Sequence, residues 1–167
     1  QIKASMKLND AVSGKEKNII SDKGVAVVII FISNDCPFVK YYLDRLMILK
    51  STYSAKNVDF IWVNSFSVQE ESIDDMKQFA SLQKLPNYIN DKSQELKKLL
   101  HARKSPEVIL LKRNGNELVK FYQGPIDNNA QVAADVKDAF LKVNIESLLQ
   151  GKPPVKPTSP VVGCFIK

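Results

Sequence analysis

With 167 residues, 44% of them hydrophobic, the chain is long enough to bury a full core in one domain without help from metals or a lattice of disulfides. Its 24 Lys and Arg against 18 Asp and Glu leave a net charge of +6, but the densest basic groups, such as Lys97-Lys98 and Arg103-Lys104, are short and not interleaved with aromatics, which argues against nucleic acid as a partner. Two cysteines and one histidine, His101, make neither a disulfide scaffold nor a zinc site, so no metal and no cofactor is expected.

Gln1 stands where an initiator methionine would, ahead of a polar opening stretch, which fits either a removed leader or a trimmed terminus. A removed leader implies export to the periplasm; a trimmed terminus leaves localisation open. No apolar run is long enough to be a transmembrane segment, so the chain is expected to be soluble or held on a membrane by something the sequence does not show. Residues 1–24 read as a hairpin or irregular lead-in, with Met6–Leu8 and Asn18–Ile20 flanking the polar turn around Gly14.

The run Val25–Ile32 is mostly β-branched and apolar on both faces, the pattern of a central strand covered on each side. It enters Ser33-Asn34-Asp35-Cys36-Pro37, after which Val39, Tyr42, Leu43, Leu46 and Leu49 or Lys50 recur at helical spacing, with Lys40, Asp44 and Arg45 on the other side. Proline suits a first helical turn because its missing N–H would have no intrahelical partner there. Cys36 is therefore placed at a helix N-terminus, where unpaired N–H groups and the macrodipole favour a thiolate, the nucleophilic form of cysteine. Asp35 acts in the opposite direction unless its carboxylate points away or caps the helix. A cysteine in an apolar setting is otherwise just a small buried hydrophobe.

The turn-prone Ser54–Asn57 precedes a second strand, Val58–Asn64, in which Trp62 reads as core. Ser67-Val68-Gln69-Glu70 matches a capping box and predicts a helix from there to about Gln83, with Ile73, Met76, Phe79 and Ala80 inward. After Lys84–Tyr88 breaks it, a short extended piece leads past Asp91 to a third helix with Leu96, Leu99 and Leu100 on one face and His101 at its end as a surface or capping residue. Ser105-Pro106 opens a strand Glu107–Lys112, Asn114-Gly115 predicts a two-residue hairpin turn, and the return strand Glu117–Gln123 closes at Gly124-Pro125. A last helix is predicted from Asp127, carrying Val132, Val136, Ala139, Phe140 and Val143 and stopping at Gly151. Beyond it, Pro153, Pro154, Pro157 and Pro160 make an extended tail ending in the apolar Val161-Val162-Gly163-Cys164-Phe165-Ile166-Lys167.

This order of elements predicts an α/β domain with a mixed central sheet and helices on both faces. The order, Asn34-Asp35-Cys36-Pro37 after a buried strand, and Ser105-Pro106 before a later one resemble the thioredoxin-like superfamily. Ser33–Val39, Gly124-Pro125-Ile126-Asp127 and the terminal Gly163–Lys167 resemble its redoxin branch, which includes peroxiredoxin-like and thiol-disulfide oxidoreductase proteins. The resemblance covers the chain from about residue 18 onward. It divides the chain into one thioredoxin-like domain over 1–151 and a proline-rich tail over 152–167.

The resemblance implies that Cys36 is the nucleophile, on disulfides or peroxides, and that Ser33, Pro37, Ser105 and Pro106 contact substrate, Ser105-Pro106 as a cis-proline turn facing the sulfur. Departures from the family pattern narrow the chemistry. Val39 stands where thioredoxins carry their second cysteine, Ile30 where they carry a buried acid, and Ile29 where peroxiredoxins carry a proline ahead of the hydroxyl at Ser33. A lone oxidised cysteine needs a second thiol to resolve it, and Cys164 on the tail is the candidate. The cycle then requires a disulfide-containing protein, small thiol or peroxide as substrate and a reductase partner. A different class of function fits the same departures: a peptide-binding or folding-assistance module that keeps the thioredoxin shape without turnover.

Overall fold

The computed structural model describes residues 2–167; Gln1, and with it the choice between a removed leader and a trimmed terminus, lies outside the described residues. The fold is built on β4 (Ala26–Phe31), every residue of which is buried. It pairs in parallel with β5 (Val58–Asn64) and antiparallel with β8 (Glu107–Asn114), so it lies in the interior of the sheet, as its two-sided apolar run requires. Including β1 (Ile2–Lys3), β2 (Lys7–Asp10), β3 (Lys15–Asn18), β6 (Ile89–Asn90) and β9 (Glu117–Gly124), the eight-stranded mixed sheet has the order β1-β9-β8-β4-β5-β6-β2-β3.

The pleat sorts side chains into two cores. Ala26, Val28, Ile30 and Ile32 join Phe60, Trp62, Val108 and Leu110 on one face, under α1 (Pro37–Tyr53), α2 (Ile73–Gln83) and α4 (Phe140–Leu149). Val27, Ile29 and Phe31 join Ile61, Val63, Ile109 and Leu111 on the other, with Leu96 and Leu100 of α3 (Glu95–Leu100). Helices thus cover both faces. Each fully buried Val, Ile or Phe contributes about 1.5–3 kcal/mol of transfer free energy, which makes the β4 register hard to slip.

Local chemistry moves several boundaries from their predicted places. Ser67 is not the cap of α2: its N–H and Oγ both donate to the Lys167 carbonyl, at 2.7 and 3.2 Å. A short 3-10 turn (Gln69–Glu71) intervenes, and Ser72 is the cap, its Oγ accepting from the Asp75 N–H at 3.2 Å and donating to the Asp75 carboxylate at 2.7 Å. Ile73 and Leu99, predicted inward, are exposed. His101 ends α3 in the left-handed conformation with φ 57° and is exposed. The hairpin turn is Gly115-Asn116, because Asn114 still pairs with Glu117; Gly115 takes the positive φ of 63° that a side chain would resist.

The last helix begins at Phe140 and not near Asp127. The Asn129 side chain accepts the N–H groups of Gln131 and Val132, and that of Asn128 those of Lys137 and Asp138, so these side chains take the backbone donors a helix would need. Val132, ahead of the helix, and Val143, within it, are both exposed and not inward as predicted.

The tail is a packed element at its end. Asn144 holds Val155 by both backbone groups, at 2.8 and 3.0 Å, and Cys164–Phe165 forms β10, paired antiparallel with β7 (Lys104–Ser105). Ile166 enters the core on the α3 face, whereas Phe165 and Val162 stay exposed. Among the described residues no helix is long and apolar enough to cross a membrane.

Candidate active site

Cys36 occupies the N-cap of α1, in extended conformation with φ −70° and ψ 120°, and Pro37 opens the helix. No side chain caps this helix and its first turn holds no acidic residue; Pro37 has no N–H and the Val39 N–H donates to the Cys36 carbonyl at 3.1 Å, so the positive end of the helix dipole lies at Cys36 without a carboxylate to offset it. Asp35 is exposed and makes no capping bond. The Ser33 hydroxyl, buried, accepts the Cys36 N–H at 3.2 Å and lies 3.4 Å from the Ser105 hydroxyl. On the far side of the sulfur the Ser105–Pro106 peptide is cis, and the Ser105 carbonyl oxygen is 3.2 Å from Cys36 Sγ. Ser33, Cys36, Ser105 and Pro106 are thus brought together from two chain segments, while Pro37 lies exposed at the mouth.

Cys164 completes the cluster. It is joined to Cys36 in a disulfide spanning 128 residues of sequence, with 6.1 Å between the α-carbons. Its strand lies with Cys164 opposite Ser105 and Phe165 opposite Lys104. Val39 and Ile30, where a thioredoxin would have its second cysteine and its buried acid, are both fully buried in the same apolar core as Cys36. The second sulfur therefore comes from the tail and not from the helix.

The loop before Cys36 is held by a polar network absent from the sequence reading. Glu71, buried, accepts the Asn34 N–H and an Asn64 amide proton, each at 2.8 Å. Asn64 also donates to the Tyr88 hydroxyl at 2.9 Å, which in turn donates to the Asn34 side-chain oxygen at 2.8 Å. Burial pushes the Tyr88 hydroxyl far above the usual phenol range, so it is a fixed donor. Lys92 closes the network through Asn64 Oδ1 at 3.3 Å and the Phe66 carbonyl at 2.8 Å, and burial lowers its pKa. No periodicity marks a Glu that faces inward from a 3-10 turn, so only the fold reveals it.

Helix α1 is fixed at a second point. The Tyr42 hydroxyl donates to Asp127 at 2.9 Å, and Arg45 pairs with the same carboxylate at 2.8 Å while its guanidinium lies 4.3 Å above the Tyr42 ring. Arg45, assigned to the solvent side by spacing, is largely buried for this reason. Burial, with Asp127 next, raises the Tyr42 pKa well above the phenol range. Among the described residues no cluster of three or more His, Cys, Asp or Glu forms a metal site.

No family model matches the chain, and no curated protein matches it in sequence. Solved structures do. An uncharacterized conserved protein from Geobacillus kaustophilus is 29% identical, with a TM-score of 0.83 over 99% of this chain and 90% of its own. A hypothetical protein from Sinorhizobium meliloti is 25% identical, with a TM-score of 0.82 over 99% and 92%. A protein described as thiol:disulfide interchange protein DsbE, from Chlorobium tepidum, is 19% identical with a TM-score of 0.63 over 89% and 96%. Its strand order, the cysteine at the start of its first helix and these likenesses show that the chain has a thioredoxin-like fold.

Proposed function

We propose that this protein is a thiol-disulfide oxidoreductase whose redox pair is Cys36 and Cys164. The observation that carries the reading is the disulfide itself, which links the helix N-terminus to the tail beside Ser105-Pro106. Thiol–disulfide exchange runs through a mixed disulfide. The Cys36 thiolate attacks one sulfur of a substrate disulfide, forming a Cys36–substrate bond and expelling the other substrate sulfur as thiolate. The Cys164 thiolate then attacks Cys36 Sγ, forming the intramolecular disulfide and releasing the substrate as its second thiolate. The substrate has gained two electrons and the protein has lost them; an external dithiol reductant, the role of a reductase partner, restores both thiols.

Disulfides are favoured over peroxides as substrate by the engagement of Ser33. Its hydroxyl is turned to the Cys36 backbone N–H, and the fully buried Ile29 stands at the position of the peroxiredoxin proline. Residues 152–167 serve as the resolving arm in this scheme, and Ser33, Pro37, Ser105 and Pro106 form the walls that substrate meets.

Non-reducing mass analysis tests the pairing. After full reduction and mild oxidation with a small disulfide, the wild type should return a monomer two hydrogens lighter, with the Cys36 and Cys164 peptides linked. Cys164→Ser should instead retain the small thiol on Cys36. Oxidation that yields only dimers between chains, or an unreactive Cys36, would favour a thioredoxin-shaped binding module without turnover.

A further inference from the structure

The tail does more than deliver a sulfur: it fills the edge of β7 as an added strand, which shows what that edge accepts. Antiparallel pairing sets Cys164 opposite Ser105 and Phe165 opposite Lys104, and the Ile166 N–H donates to the Arg103 carbonyl at 2.9 Å. Lys104 straddles the segment. Its ammonium donates to the Val161 carbonyl at 3.1 Å and stands 4.9 Å above the Phe165 ring. Ile166 is buried in the core on the α3 face. With the tail in place Cys36 is only 4% exposed, and the group bonded to its sulfur is Cys164 of that tail.

The tightest point is Gly163. A Cβ built there would run into the Ser105 carbonyl oxygen and stand 2.8 Å from its carbon and 3.1 Å from the Pro106 nitrogen. These are backbone atoms of a segment anchored by the β7–β10 pairing and by the start of β8, so they have no flexible end to swing aside. Gly163 does not need its hydrogen for φ, which is not positive; the demand is for space. Any strand that brings a cysteine to the Cys164 position in this register meets the same wall one residue earlier.

Resting on the oxidoreductase reading above, we infer that the edge formed by Lys104, Ser105 and Pro106 is a subsite for an extended polypeptide bearing glycine immediately before the cysteine exchanged with Cys36, and that the chain's own Val161–Lys167 is the resident occupant it displaces. The substrate class is then a protein with an exposed Gly-Cys segment followed by an aromatic and an aliphatic residue. Because tail and substrate occupy one edge, the return of the tail that lets Cys164 attack Cys36 also removes the released segment from β7.

A peptide series on the full-length reduced Cys164→Ser chain tests this. The probe is a heptapeptide with the sequence of residues 161–167, its cysteine carried as a mixed disulfide with thionitrobenzoate. Attack by the Cys36 thiolate on the peptide sulfur forms the Cys36–peptide disulfide and releases the coloured thiolate, and mass analysis identifies the adduct. Replacing the peptide glycine by alanine should slow the reaction about tenfold or more, while the symmetrical small aromatic disulfide reacts independently of any peptide. A Gly163→Ala, Cys164→Ser chain, its own tail loosened, should react faster with the glycine peptide than the Cys164→Ser chain does. Equal rates for glycine and alanine peptides, with the small disulfide still reactive, would overturn the subsite and leave the oxidoreductase reading standing. Failure of Cys36 to react even with the small disulfide would remove that reading and this inference together.

Discussion

Reducing the Cys36–Cys164 disulfide should lower global stability by several kcal/mol, and the size follows from where the link falls in the chain. The bond closes a loop of 128 residues. In the chain-entropy account, that constraint removes about 17 cal/mol/K from the unfolded ensemble, or about 5 kcal/mol at room temperature. The tail's other attachments survive reduction and cancel in the comparison: the Ile166 side chain in the core, the Ile166 N–H to Arg103 carbonyl bond, and the Ser67 N–H to Lys167 carbonyl bond. Strain or residual structure in the reduced unfolded chain subtracts from the ideal figure, so the expected difference is about 3–5 kcal/mol. Urea unfolding of oxidised and reduced protein, followed by the fluorescence of the buried Trp62, measures it directly. Reduced wild type and Cys164→Ser should share one midpoint, since neither carries the link. A difference below about 1 kcal/mol between oxidised and reduced protein would refute the reasoning, because it would mean the unfolded chain gains no freedom when the loop opens.

The reduced Cys36 thiol should titrate below the free-cysteine value of about 8.5, because the uncapped start of α1 outweighs the Ser105 carbonyl oxygen 3.2 Å from the sulfur. Alkylation rate against pH checks it, and a midpoint at or above that value would refute the placement argument. Glu71→Ala should cost at least about 2 kcal/mol in urea unfolding, by leaving the Asn34 N–H and one of the two Asn64 amide protons unpaired in the interior, the other still donating to Tyr88; Glu71→Gln, which keeps an accepting oxygen, should recover most of it. The Tyr53 hydroxyl donates to Glu146 at 2.6 Å, and this bond holds the Glu146 carboxyl below its ordinary value of 4.5. A depressed carboxyl stabilises the fold above its unfolded pKa and loses that contribution as pH falls through the folded one. The stability advantage of wild type over Tyr53→Phe should therefore be full at neutral pH and shrink in acid below that value; an advantage independent of pH would show that the bond is not the cause.

The sequence alone was sufficient wherever one segment's own pattern decides the outcome. The apolar run of β4, the aromatic and β-branched content of β5, and Pro37 at the head of an amphipathic stretch are local facts, and the placement of Cys36 at a helix start follows from them without knowledge of any distant residue. The order of such elements was enough for the mixed sheet with helices on both faces. What failed locally failed for want of a long-range partner. Ser67 reads as a helix cap until its donors are found on Lys167, one hundred positions away. Arg45 reads as a solvent residue until Asp127 arrives from beyond β9. The segment after Asp127 has helical spacing, but Asn128 and Asn129 bend back onto its backbone donors and defer the helix to Phe140. Composition marks the tail as extended and apolar, yet only tertiary structure decides that it becomes a strand on β7, that Cys164 meets Cys36 there, and that Gly163 is the residue able to pass the Ser105 carbonyl. The physical reason is common to all of these: hydrophobic periodicity is written within a segment, whereas the partner of a polar group, and the space left for a side chain, are set by which distant backbone the fold brings alongside.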